Sequence, residues 1–163
     1  MELFLHYFSE TFAGLIVPVL VAFVACIGFG IIFNIRGRNL LLAAGCGAVG
    51  WLVYLVVVHY SSEILACFLG GVAVSLYAEI IARPRRTPST CFMIIGMLPL
   101  VPGAGVYYTM KYLVQGDYTA FGAKGLNTLA CAGAIALGLM WVISMVRLLL
   151  HIQQHKRRKK LQK

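Results

Sequence analysis

Along this chain the hydrophobic residues come in long stretches separated by short polar joints. The stretches cover about 11–33, 39–58, 63–82, 91–114 and 124–150. Each is close to the roughly 20 mostly apolar residues that a helix needs to cross a bilayer. The joints run from Asn34 to Arg38, His59 to Ser62, Arg83 to Thr90 and Gln115 to Thr119. None has room for a second domain, so the pattern predicts one transmembrane domain over 1–150 and a tail over 151–163. An open sheet would leave edge N–H and C=O groups unpaired in hydrocarbon. The expected fold is therefore all-α, a polytopic membrane helix bundle of about five transmembrane helices.

The charges alternate from joint to joint. Arg36 and Arg38 lie in the first joint, Arg83, Arg85 and Arg86 in the third, and a Lys-Arg-Arg-Lys-Lys run follows the last span. The second joint has no Lys or Arg, and the fourth carries only Asp117. Basic residues stay on the cytoplasmic side, so the expected orientation in the cell membrane puts the N-terminus outside and the C-terminus in the cytoplasm. Lys111 and Lys124 depart from the rule, and their long side chains are expected to snorkel to the outer interface. Met1 to Glu10 has neither Lys nor Arg, which argues against a cleavable signal peptide. The mixed segment Thr119 to Gly125 is expected to lie at the interface or to begin a tilted helix.

The fourth stretch breaks its own pattern. Pro99 and Pro102 sit near its middle, with Gly96, Gly103 and Gly105 around them. Each proline lacks the N–H that a helix needs, so the carbonyls of Ile95 and Leu98 lose their helical donors. The expectation is two half-helices, with Pro102 at the first position of the second, where a missing N–H costs nothing. A break within a bilayer is tolerated where it faces protein or a watery cavity. The N–H groups opening a half-helix suit the carboxylate of a small substrate. The bland alternative is a kink used only for packing.

Few other polar groups lie in the spans. Asn34 ends the first span and Glu63 opens the third, where an acid suits a helix N-terminus. Glu79 stands at i,i+4 spacing from Arg83, as in a surface salt bridge. Asn127 and Thr128 are deeper in the last span, and such side chains bond across helices or line a path. Tyr107, Tyr108 and Tyr112 fit an outer aromatic belt, with Tyr107 and Tyr108 close to the break. Small residues in 43–50 and 130–138 permit close helix approach within the bundle.

Composition agrees with lipid as the solvent: 61% of the 163 residues are hydrophobic and 12% are charged, against roughly 25% charged in a soluble domain. The net charge of +9 is concentrated in the joints and tail, which points to topology and anionic lipid, not nucleic acid. The five cysteines stand singly in separate segments, which predicts packing and not a metal or redox site. His6 and His59 fall near one face and His151 and His155 in the tail, so no catalytic set converges and no enzyme or cofactor is expected.

Three features together resemble a known family. Gly28-Phe-Gly-Ile-Ile-Phe-Asn34, the small-residue second span and Pro99-Leu-Val-Pro-Gly103 are similar to the small subunit of the split threonine/serine exporters. The order of spans and the Asn127-Thr128 region extend the likeness over most of the chain. The resemblance implies a larger membrane subunit as partner and marks Asn34, Pro99, Pro102 and Gly103 as motif positions. With Gly105, Tyr107, Asn127 and Thr128 they make up the candidate substrate-binding set.

The expected function is a subunit of a secondary transporter exporting small carboxylate metabolites, threonine- or serine-type amino acids first and a dicarboxylate such as succinate second. An ion gradient would drive it, because no GxxxxGK[ST] loop for ATP is present. The alternative is a membrane scaffold that helps another subunit to assemble. A homo-oligomer is the alternative to an unlike partner.

Overall fold

The computed structural model describes the backbone of residues 2–85 and 87–161, and the side chains of 14–84 and 87–149. Expectations resting on the side chains of 1–13, on Arg85 and Arg86, and on the side chains of the tail lie outside the described residues. The elements are α1 (Glu2–Ile32), α2 (Arg38–Tyr60), α3 (Glu63–Arg85), α4 (Ser89–Met97), a 3-10 turn (Leu98–Leu100), α5 (Gly103–Val114) and α6 (Tyr118–Leu161). No strand occurs among the described residues.

Four helices are long and apolar enough to span a membrane. The pair Ser89–Leu100 and Gly103–Val114, bent by 47°, makes a fifth, broken span. The chain is thus the multi-pass helix bundle that the hydropathy pattern predicts. The helices overrun the predicted spans because a helix does not stop where the apolar stretch does. α6 begins at Tyr118, taking in the mixed segment Thr119 to Gly125, and runs on without a break into the tail.

α2 and α3 form the centre. α4 lies across both, α1 packs on the outside of α2, α6 packs on α3, and α5 packs mainly on α6. Lipid tails give no hydrophobic drive for helices to associate, so close approach through small residues has to hold the bundle. Gly50 of α2 faces Val74 and Gly70 of α3, and Gly96 of α4 faces Cys46 and Val74. Gly71 of α3 and Gly138 of α6 each meet the other helix's backbone. Within the spanning helices only 17% to 39% of each apolar window is buried, so side chains such as Val24, Ile80 and Leu129 face the lipid.

The joints explain where helices end. Asn34 has φ 59°, the left-handed conformation. Ile35 N–H donates to Gly30 O at 2.8 Å, and Asn34 N–H to Ile31 O at 2.9 Å. This is a Schellman ending with asparagine at the left-handed position, one of the few residues besides glycine that takes it readily. Its side-chain Oδ1 accepts from Arg36 Nε at 3.0 Å. Replacing Asn34 with valine should therefore cost about 1–2 kcal/mol, and with glycine far less. Thermal unfolding of the purified chain in detergent checks both. Gly116, at φ 78°, ends α5 in the same way.

Asp117 caps the start of α6. Its Oδ1 accepts from Ala120 N–H at 3.0 Å and from Thr119 Oγ1 at 2.7 Å. These bonds, the Ala120 one first, hold its carboxyl below the usual carboxylate range. A lowered folded-state pKa means that the cap is at full strength above the ordinary carboxylate value and fades as pH falls through the lowered one. The protection of amides in the first turn of α6, relative to the intrinsic exchange rate at each pH, should fall in acid. Asp117→Asn, which keeps a capping side chain, should remove that pH dependence.

The spacing of Glu79 and Arg83 predicts an ion pair, but none forms between them among the described residues. Glu79 Oε1 instead accepts from Ser89 Oγ at 2.7 Å. Ser89 opens α4, so the carboxylate sits at the positive end of that helix. A partner supplied by tertiary packing has displaced the one supplied by sequence spacing.

Candidate functional site at the broken fourth span

The two prolines divide the span by an identifiable sequence of hydrogen bonds. The Ile95 carbonyl, which Pro99 leaves without a helical donor, accepts from Leu98 N–H and from the buried Cys26 thiol at 3.6 Å. The Leu98 carbonyl, abandoned by Pro102, accepts from Val101 N–H at 3.3 Å. Pro102 itself, with φ −75° and ψ 59°, is the centre of an inverse γ-turn, in which Gly103 N–H donates to Val101 O at 2.7 Å. Proline therefore stands one residue before α5 and not at its first helical position. Its ψ points the chain out of the α region, and glycine opens the helix.

The first helical bond of α5 runs from Val106 N–H to Pro102 O at 3.1 Å. With Gly103 N–H turned back to Val101, the N–H groups of Ala104 and Gly105 are left without intrahelical acceptors. Both residues line a cavity of about 220 Å³. Its wall is Pro99 to Gly105 on one side, with Trp51 and Tyr54 of α2, Glu63 and Cys67 of α3, Tyr108 of α5 and Lys124 of α6. Trp51 and Tyr54 stack with ring centroids 5.0 Å apart, so that side of the wall is aromatic. At roughly 30 Å³ per water the space equals about seven waters. That suits a metabolite of a few heavy atoms.

The cavity lies toward the end of the bundle that holds the joint between α2 and α3 and the joint between α5 and α6. Glu63 is the first residue of α3, and Lys124 is in the first two turns of α6. Asn127 Nδ2 donates to Glu63 Oε2 at 2.9 Å, tying α6 to α3 at the rim. Thr128 Oγ1 donates to Lys124 O at 2.7 Å, and a Cβ at Gly105 would stand 2.5 Å from that hydroxyl oxygen. Gly105 is thus the point at which α5 lies against α6.

Of the residues expected to bind substrate, Pro99, Pro102, Gly103 and Gly105 line the cavity together. Asn127 reaches it through Glu63, and Thr128 through Gly105. Tyr107 is 65% exposed and points away, its ring meeting Tyr108 edge-on. Asn34 is at the opposite end of the bundle, in the helix ending described above. The sequence presents Glu63 as a helix-terminal acid and Lys124 as a snorkelling base, and the fold brings the two to one cavity. The signal available was modest: each is a charged residue just inside an apolar span on the side with no arginine. Among the described residues no group of His, Cys, Asp and Glu is arranged to hold a metal ion.

The family model described as Threonine/Serine exporter, ThrE, matches residues 18–145. The chain belongs to the threonine/serine exporter family. The match reaches into every spanning helix and takes in the whole cavity wall. An uncharacterized protein of Haemophilus influenzae is 25% identical over 139 residues, a match that takes in 77% of this chain and 45% of the relative. The chain thus spans about half the length of that curated relative. No solved structure matches it.

Proposed function

We propose that this chain is one membrane subunit of a secondary transporter that exports threonine, serine or a similar small amino acid from the cytoplasm. The observation that carries the reading is the cavity at the helix break, which joins a polar backbone edge to an acid and a base on two other helices. Half-helix ends of this kind hold carboxylates in secondary transporters. The exporter family supplies the substrate class. A dicarboxylate such as succinate has no support from the family match, and Glu63 in the wall disfavours a second negative group on the ligand.

The basic joints put the α1–α2 and α3–α4 connections in the cytoplasm. On that orientation the cavity lies toward the outer end of the bundle, as a site that releases substrate outside the cell membrane would. The longer Haemophilus influenzae relative has more chain outside the match than within it, which suits a partner domain or larger membrane subunit completing the path. Efflux of labelled threonine, serine and succinate is the test, from cells making this chain with and without a candidate larger subunit. Threonine or serine efflux only with both establishes the subunit reading. Efflux from this chain alone points to a homo-oligomer. No efflux of any of the three overturns the exporter reading and favours a scaffold.

A further inference from the structure

The roles of the charged side chains in the cavity can be taken further, on the basis of the amino-acid export reading. Glu63 and Lys124 line the same space with opposite charges, yet they make no ion pair with each other. Asn127 occupies one oxygen of Glu63, Oε2, and no donor among the described residues takes Oε1. Lys124 Nζ likewise has no acceptor among the described residues. Two unlike charges on separate helices, each with bonding capacity left over, match the two ends of a zwitterion. Glu63 is exposed and Lys124 half-buried at the rim, so both stay charged and open to a ligand entering the cavity.

We propose that Glu63 binds the α-ammonium group of the exported amino acid, while Lys124 and the N–H groups of Ala104 and Gly105 bind its α-carboxylate. The ammonium donates to Glu63 Oε1, and the carboxylate accepts from Lys124 Nζ and from the start of α5, where a negative charge is favoured. Asn127 is a positioning residue. Its bond to Oε2 fixes the carboxylate at the rim and leaves Oε1 for the ammonium. The stacked Trp51 and Tyr54 rings leave an aromatic wall for the substrate's side chain.

The experiment uses proteoliposomes holding the full chain, with the larger subunit where flux requires it. Labelled threonine flux is measured against three competitors. Unlabelled threonine has both charges, threonine methyl ester lacks the carboxylate, and 3-hydroxybutyrate lacks the ammonium. The wild type should prefer threonine to both analogues. Glu63→Gln should lower threonine flux at least about tenfold and erase the margin over 3-hydroxybutyrate, leaving the margin over the ester. Lys124→Gln should lower flux similarly and erase the margin over the ester alone. Asn127→Ala should move selectivity in the direction of Glu63→Gln by a smaller factor. If Glu63→Gln fails to fold, Glu63→Asp carries the test, with weaker threonine flux and the same charge selectivity. Variants within about twofold of wild type, or losses that leave the two selectivities moving together, overturn the assignment. Wild-type protein with neither threonine nor serine flux overturns the export reading itself, and the assignment with it.

Discussion

Replacing Gly138 with leucine is expected to separate α6 from α3 and to destabilise the bundle by about 3 kcal/mol or more, the upper end of what overpacking costs. A Cβ at this position meets the Phe68 carbonyl oxygen and comes within 3.1 Å of Val72 N. These are backbone atoms of a packed helix, so they cannot rotate away as a side-chain tip can. Leucine adds three more carbons in the same direction. The variant should give little monodisperse protein in detergent and a lower unfolding midpoint than wild type. Gly133, five residues earlier on the same helix, meets nothing within 4 Å and is the control. An unchanged midpoint for Gly138→Leu would show that the two helices do not pack at this distance.

Gly103→Leu should have the opposite profile: normal folding and almost no transport. Gly103 lines the cavity, its φ lies outside the left-handed region, and an added Cβ meets nothing within 4 Å. The fold therefore offers no resistance to a side chain there. The side chain would occupy the space beside the free N–H groups of α5. Transport should fall by about tenfold or more at an unfolding midpoint close to wild type. Flux close to wild type would mean that substrate does not pass this cavity. The contrast with Gly105 is useful, because a methyl there strikes Thr128 and would disturb folding and function together.

The spans were legible because crossing a bilayer demands a length and polarity that few other structures share. The break was legible for a similarly local reason: Pro99 and Pro102 remove named hydrogen bonds, and those carbonyls had to find new donors. Which donors they found was not legible. Cys26 serves Ile95 from 69 positions away, and nothing in a solitary cysteine announces that. Pro102 misled by one position, since proline is equally suited to the first helical turn and to the γ-turn preceding it. Asn34, a motif position of the family resemblance, also has a local role that its sequence neighbours do not announce: its left-handed φ and the hydrogen bonds around it close α1. Glu63 and Lys124 are 61 positions apart, by their numbering. Only the packing of α6 on α3 makes them neighbours of one space.

The two halves of the fourth span belong to different partners. α4 is held between α2 and α3, whereas α5 rests mainly on α6, and Val101 and Pro102 alone connect the 3-10 turn to α5. The bend of 47° between the halves is therefore a joint between two packing groups and not a defect within one. The cavity is lined continuously from Pro99 to Gly105, across that joint, so a change in the angle between the halves would respace its wall with every lining side chain left as it is.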